Sequence, residues 1–344
     1  FAKNLIGATY NNFAFGARFR PNTPPAVAGS LDFADATVRF MKALPPIEGG
    51  AGFLSLQDGG MVVALDQGRV TAPQGGMLDL AGSVFAIPDI RIRQAPAEVT
   101  LAIEGPIEAA LSVLDLPPFE YMSKANLPVD VAQGTTRLTG QVNLPLKPFV
   151  PPEEVAFDFA ATLSDVASTR LVPGRVLSAD SLAVEVTKAG MAIAGDMRLD
   201  RTAVSGRWSR AFGPDTAGTA VFEGSLAITP QVLADFGVAL PEGMVDGRGR
   251  GSITIGFRPD GPARFDFDSD LVGLGLSLPQ LSWSKPAEQS GALALSGILT
   301  KPPTIEALTL EAGTLSLAGD VTLLDGGGFE RARFDTARLG GWFD

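Results

Sequence analysis

Residues 315–323 read Leu-Ser-Leu-Ala-Gly-Asp-Val-Thr-Leu, placing Leu315, Leu317, Gly319, Val321 and Leu323 on every second position. Successive side chains of a strand point to opposite faces, so this spacing is that of a β-strand with one apolar face. The same phrase recurs at Leu78, Leu80, Gly82, Val84; at Leu138, Gly140, Val142, Leu144; and at Met191, Ile193, Gly195, Met197, Leu199. It returns at Phe222, Gly224, Leu226, Ile228 and at Leu293, Leu295, Gly297, Leu299, with a shorter copy at Val204, Gly206, Trp208. Plain alternation runs through Glu98–Glu104, Ser181–Thr187, Arg264–Leu271 and Ala307–Glu311.

A glycine in the middle of an apolar strand face packs nothing and weakens the strand unless the strand must bend there. Glycines on a concave face are also how a twisted sheet is made to curl. The repeat therefore predicts a mostly β chain, a long, strongly curled, mainly antiparallel sheet that forms a repeating β-groove with a few short helices. A closed sandwich whose glycines mark ordinary β-bulges is the alternative architecture.

Two segments carry a helical period instead. Residues 106–114 (PIEAALSVL) place Ile107, Ala110, Leu111 and Leu114 on one face behind Pro106, and residues 229–236 (TPQVLADF) open with Thr229 as N-cap and Pro230 at the first helical position. Short helices over an end or mouth of the sheet are expected at both. Pro-rich turns fall at Pro21–Pro25, Leu144–Pro152 and Lys301–Pro303. The second is expected to join an N-terminal groove segment, residues 1–148, to a C-terminal one, residues 149–344.

Composition narrows the chemistry. The 344 residues hold 27 basic and 38 acidic side chains, a net charge of −11 with no basic run. Binding a nucleic-acid backbone requires a basic footprint, so nucleic acid is not an expected partner. With no Cys and no His, thiolate and imidazole catalysis, the usual zinc sites and disulfides are excluded. No run reaches the roughly 18 apolar residues of a membrane-spanning helix. The chain begins at Phe1, and is expected to be a piece of a longer protein whose anchor lies outside it.

Candidate motifs read as strand and turn. Asp266-x-Asp268-x-Asp270 imitates the opening of a calcium loop, but Leu271 stands where that loop needs Gly and Ser277 where it needs Glu. A solvated strand face opposite Phe265 and Phe267 is the better reading. Ser282-Trp283-Ser284-Lys285 has the Ser-x-x-Lys spacing of serine acyl enzymes, yet Pro279 and Pro286 block the helix that chemistry requires. Gly247, Gly249 and Gly251 continue into Ile253, Ile255 and Phe257 as a strand, and Gly326–Gly328 reads as a hairpin turn. No cofactor or metal is expected.

Leu44–Gly49 (LPPIEG) leading into Gly52–Gln57, Gly75–Ile90 (GGMLDLAGSVFAIPDI), Leu171–Leu182 (LVPGRVLSADSL), Gly206–Pro214 (GRWSRAFGP) and Gly273–Pro286 (GLGLSLPQLSWSKP) carry a family likeness. On these stretches the chain resembles the AsmA-like superfamily, in particular the YhdP-type domain of bacterial envelope proteins related to bridge-like lipid-transfer proteins. The resemblance implies a periplasmic β-groove, tethered to the inner membrane through residues outside this sequence, that moves phospholipid between the envelope membranes. Acyl chains would lie in the groove and headgroups in solvent.

An open apolar face needs a cover. At about 0.8 kcal/mol per buried methylene, a roughly 16-carbon tail would supply ~10 kcal/mol while remaining free to slide. The expected lining is Leu78, Leu80, Gly82, Val84, Leu138, Val142, Met191, Ile193, Gly195, Met197, Phe222, Leu226, Ile253, Ile255, Phe265, Phe267, Leu293, Leu295, Leu315 and Leu317. Arg91, Arg93 and Arg175 are the basic candidates for a rim. A non-enzymatic envelope scaffold or protein-binding module of β-sandwiches is the alternative function, and a carboxylate-based hydrolase is a third.

Overall fold

A computed structural model describes residues 4–213, 218–238, 240–300, 303–324 and 328–340. The turn expected at Lys301–Pro302 and the glycines at 326 and 327 lie outside them. The chain is mostly β, at 62% strand against 7% helix, so sheet geometry decides where every side chain points. Contacts divide it into two units, residues 1–188 and 189–344. The division does not follow the Pro-rich segment at 144–152. That segment only turns one strand back onto its antiparallel neighbour inside the first unit.

The first unit runs β1 (Leu5–Arg20), β2 (Thr23–Val38), β3 (Ile47–Gln57), β4 (Gly60–Thr71), β5 (Met77–Asp79), β6 (Val84–Ile87), β7 (Pro96–Pro106), α1 (Ile107–Leu114), α2 (Tyr121–Lys124), β8 (Gln133–Pro145), β9 (Ala156–Ser168) and β10 (Leu177–Thr187). Strands pair antiparallel with their sequence neighbours throughout. β5 and β6 share one place between β4 and β7, separated by a turn at Leu80–Ser83. Gly82 takes φ +88° there, a conformation that suits glycine. The ladder is mended by Ser83, whose Oγ accepts from Ala102 N–H at 3.0 Å and donates to Ala102 O at 3.1 Å.

α1 forms as expected, with Pro106 one step earlier, at the N-cap. Its buried side is Ile107, Ala109 and Ser112, and Leu114 is exposed. Gly75 approaches so closely that a Cβ there would strike the Ala109 backbone, and Ala109 is fully buried. Ala109 closes a core with Val70, Ala72, Leu78 and Leu80. Short α2 carries no periodic signal and was not expected.

The second unit runs β11 (Gly190–Leu199), β12 (Thr202–Ala211), β13 (Ala220–Ile228), α3 (Pro230–Asp235), β14 (Val245–Gly247), β15 (Gly249–Arg258), β16 (Gly261–Ser269), β17 (Leu274–Leu278), β18 (Trp283–Lys285), β19 (Ala292–Ile298), β20 (Thr304–Ala312), β21 (Leu315–Leu323) and β22 (Phe329–Leu339). β11, β12, β13, β15, β16, β19, β20, β21 and β22 form its antiparallel sheet. α3 has the expected cap, Thr229 Oγ1 accepting from Val232 N–H at 3.2 Å, with Pro230 behind it.

Two insertions leave this sheet on the same side. One links β13 to β15 and carries α3 and β14; the other links β16 to β19 and carries β17 and β18. They meet as a three-stranded sheet, Val245 paired with Leu276 and Leu278 with Trp283. This small sheet is a lid. Leu271, Leu274 and Trp283 pack on Ile228, Ala312, Leu315 and Leu339 and seal that edge of the sheet.

Lys285 holds the lid in place. It is 1% exposed, and its Nζ donates to Leu271 O at 2.9 Å, Leu274 O at 2.8 Å and Pro286 O at 3.0 Å. Burial pushes its pKa below the ordinary lysine range, against the pull of Asp270 and Glu288. Leu271 sits at φ +56°, a conformation bulky residues avoid, and the ammonium on its carbonyl helps keep it there. The Ser-x-x-Lys spacing thus ends in a structural lysine.

Mid-strand glycines are not empty positions. Gly140 stands opposite Phe159, and a Cβ at Gly140 would fall on the Phe159 ring. Gly251 lies under the ring of Phe267 in the same way. The ring fills the space of the absent side chain, as expected where an aromatic covers a strand glycine.

Two outcomes follow from these contacts. Lys285→Met, which orphans buried carbonyls, lowers the urea-unfolding stability of the second unit by about 3 kcal/mol. Gly251→Ala lowers it by about 2 kcal/mol, and in a double-mutant cycle Phe267→Leu recovers part of that loss, because the clash is with the ring alone.

Candidate functional site

Strand register carries the apolar alternation sideways into continuous rows. In the first unit Leu31, Leu54, Val63, Phe85, Val99, Val142 and Phe157 are successive cross-strand partners from β2 to β9. Parallel to them run Leu101, Gly140, Phe159, Val186 and then Ile103, Leu138, Ala161, Val184. Every member is half-buried. The rings of Phe157 and Phe159 stack with centroids 5.7 Å apart along this face. On the opposite face Thr100, Gln141 and Asp158 are partners and are exposed.

The second unit repeats the arrangement. Ile193, Trp208, Phe222, Ile255, Phe265, Gly297, Ile305 and Val321 form one row. Gly195, Gly206, Gly224, Ile253, Phe267, Leu295, Leu308 and Gly319 form the next. A third holds Met197, Val204, Leu226 and Gly251, with Leu293, Leu310 and Leu317 farther along. At about 4.8 Å per strand, rows of eight strands measure about 34 Å, longer than a hydrocarbon tail needs for side-by-side contact.

These rows gather most of the residues expected to line a groove. Leu138, Val142, Met191, Ile193, Gly195, Met197, Phe222, Leu226, Ile253, Ile255, Phe267, Leu293, Leu295 and Leu317 are all half-buried on the apolar faces. Four others are core instead. Leu78 and Leu80 lie beneath α1, Leu315 beneath the lid, and Phe265 in a cluster with Ile305, Val321 and Leu323 against which Val238 packs. Their periodicity was read correctly, but periodicity does not report what lies above a face.

Gly82 and Val84 are misplaced by the sequence pattern. Gly82 is exposed in the turn that separates β5 from β6, and the turn shifts the alternation by one residue. Val84 consequently pairs with Thr100 on the polar side, and Phe85 takes the apolar place. Phe157 and Phe159 were missed because their strand lacks the central glycine, although Phe157-Asp-Phe159 alternates plainly.

The surface area bears on whether these faces are covered. A compact 35.7 kDa monomer exposes about 13,300 Å², and two separate compact units of half the mass about 16,000 Å² together. This chain exposes 20253 Å². The excess stands whatever the arrangement of the units. Of the 21 phenylalanines, only Phe265 is fully buried among the described residues.

Charge is confined almost wholly to the other faces and the turns. Arg91 is committed to Asp89, with Nε–Oδ1 at 2.8 Å and Nη2–Oδ2 at 2.7 Å. Those bonds, with the Arg91 backbone N–H, hold the Asp89 carboxyl at about 2. Arg93 is exposed in the same turn. Arg210 is different: two residues beyond Trp208, it falls on the apolar face opposite Met191. The alternation Val204, Gly206, Trp208 already pointed to it.

Polar hollows lie on the outer faces. One, of about 280 Å³, is lined by Asp266, Asp268, Ser296 and Thr309, and another, of about 150 Å³, by Thr135, Thr162 and the Glu104–Arg137 ion pair. The Asp266 triplet lies on a solvated strand face, and no carboxylate cluster suited to a metal occurs among the described residues.

Burial separates the two classes of apolar position experimentally. Leu80→Asp places a charge in a closed core and destabilises the first unit by about 4 kcal/mol or prevents its folding. Val142→Asp and Ile193→Asp, on half-buried faces, cost about 1.5 kcal/mol each. Chemical denaturation followed by circular dichroism reads both.

Comparison of the chain with protein-family models, with curated proteins and with solved structures returns no match.

Proposed function

We propose that the chain is a non-enzymatic lipid-carrying segment of the cell envelope, in which phospholipid acyl chains lie along the apolar strand rows. One observation carries this reading: long apolar rows, crossing seven strands in the first unit, are mostly half-buried, in a chain with more surface than compact units of its mass would have. Such a face is unfavourable in water, and a hydrocarbon tail relieves it without a specific partner at any one position. The rows are nearly uniform in chemistry, which suits a tail that must move along them. The resemblance to AsmA-like proteins supports the same reading and adds the setting: a periplasmic location, an inner-membrane tether outside this sequence, and passage of phospholipid toward the outer membrane. No helix among the described residues is long and apolar enough to cross a membrane.

A second reading, an envelope scaffold, has one observation in its favour. β1 presents Phe13, Phe15 and Phe19 at 71%, 63% and 78% exposure, a hydrophobic strand surface suited to binding another protein.

Lipid extraction and native mass spectrometry of the purified chain distinguish them. Co-purified phospholipid is expected in the wild type and is lost in folded Val142→Asp and Ile193→Asp variants. A lipid-free chain that also takes up no phospholipid from vesicles overturns the groove and leaves the scaffold.

A further inference from the structure

In the second unit the lid seals one margin of the apolar face, and among the described residues the other margin is covered only in part. The lid closes the side of Ile228, Ala312, Leu315 and Leu339. The opposite side begins at the Met191–Arg210 pair. Of the seven large apolar residues of this unit that are strongly exposed, Phe212, Val221, Phe257, Leu299 and Leu324 lie at the strand ends on that side. Val238 packs on the Phe265, Ile305, Val321 and Leu323 cluster at that margin, and among the described residues it is the stretch of Phe212, Val221 and Phe257, beside Arg210, that is exposed.

Arg210, paired with Met191, is a charged residue in phase with the apolar rows, one position beyond the Ser209–Val221 pair. It is half-buried, and among the described residues it has no ion pair or side-chain hydrogen bond. A partly desolvated guanidinium without an acceptor is costly, and its planar fork matches a phosphate. The chain around it carries a net charge of −11, so a cation at this margin offsets repulsion of an anionic ligand.

We infer that Arg210 binds the phosphate of a phospholipid whose acyl chains lie on the Trp208–Phe222–Ile255 row. This rests on the groove reading and adds an orientation to it: headgroup at Arg210, tails running from Trp208 across the neighbouring strands. The interaction is a charge-assisted hydrogen bond, with no covalent step.

The test compares binding of fluorescent phosphatidylglycerol and of diacylglycerol with the same acyl chains to the purified chain. Arg210→Gln is expected to weaken the phospholipid about tenfold and to leave diacylglycerol unchanged; Arg210→Lys retains most of the affinity. Arg210→Met, which keeps the apolar stem, repeats the selective loss and guards against a folding defect, checked by an unchanged melting temperature. Equal phospholipid affinity in wild type, Arg210→Gln and Arg210→Met means that the arginine only reaches out to water, and overturns the inference while the groove stands. Displacement of the phospholipid by millimolar inorganic phosphate also overturns it, since the site would then be one for a free anion. If the wild type binds neither lipid, the groove reading itself falls.

Discussion

A β-strand displays two faces, and in this chain pairing between neighbours keeps most of the apolar positions on one of them. That constraint organises both units. Because the side-chain period is two, a slip by one residue would expose a whole row to water and bury its polar partners, so register is fixed by the faces themselves. The Leu80–Ser83 turn, one of the places where the alternation slips, shows the requirement clearly. Gly82 supplies the backbone conformation, Ser83 replaces missing ladder bonds with its hydroxyl, and Phe85 moves into the place that Val84 vacates.

Covering the apolar face is solved locally and unequally. α1 closes one patch of the first unit, and the lid closes one edge of the second. The lid is assembled from two separate insertions, neither of which could form a stable sheet alone, and Lys285 ties its chain to three carbonyls. Val238 packs over a third patch, at Phe265, Ile305, Val321 and Leu323, and most of the remaining row positions are half-buried. Aromatic rings laid over strand glycines, Phe159 on Gly140 and Phe267 on Gly251, fill gaps within the face and leave its outward side free.

Much of this was legible in the residues. Alternation identified the strands, the Thr229-Pro230 pair marked α3, and the in-phase glycines marked the apolar faces. What alternation could not show is the depth above a face. Leu315 and Leu317 are equivalent in sequence, yet the first is sealed by the lid and the second is not. The lid strands Val245–Gly247 and Trp283–Lys285 are too short to show a period, so neither the lid nor its effect on Leu315 could be foreseen. Contacts divide the chain at 188/189, away from the proline-rich segment 144–152, and proline-rich turns look alike in sequence whether they separate units or reverse a strand. Arg210 shares a visible phase with Trp208, but alternation alone does not distinguish a charge on the apolar face from a strand that has ended.

The hairpin-by-hairpin connectivity has a consequence for how the protein is made. Each strand finds its partner among residues adjacent in sequence, so loop closure is cheap and the sheet can be laid down in order as the chain emerges, without waiting for its C-terminus. The second unit departs from this around the lid: β13 pairs with β15 and β16 with β19 across the two insertions, and β14 must await β17 some thirty residues later before the lid can shut. Until then its oily margin is bare, and a holding chaperone would have most to do during that interval of synthesis.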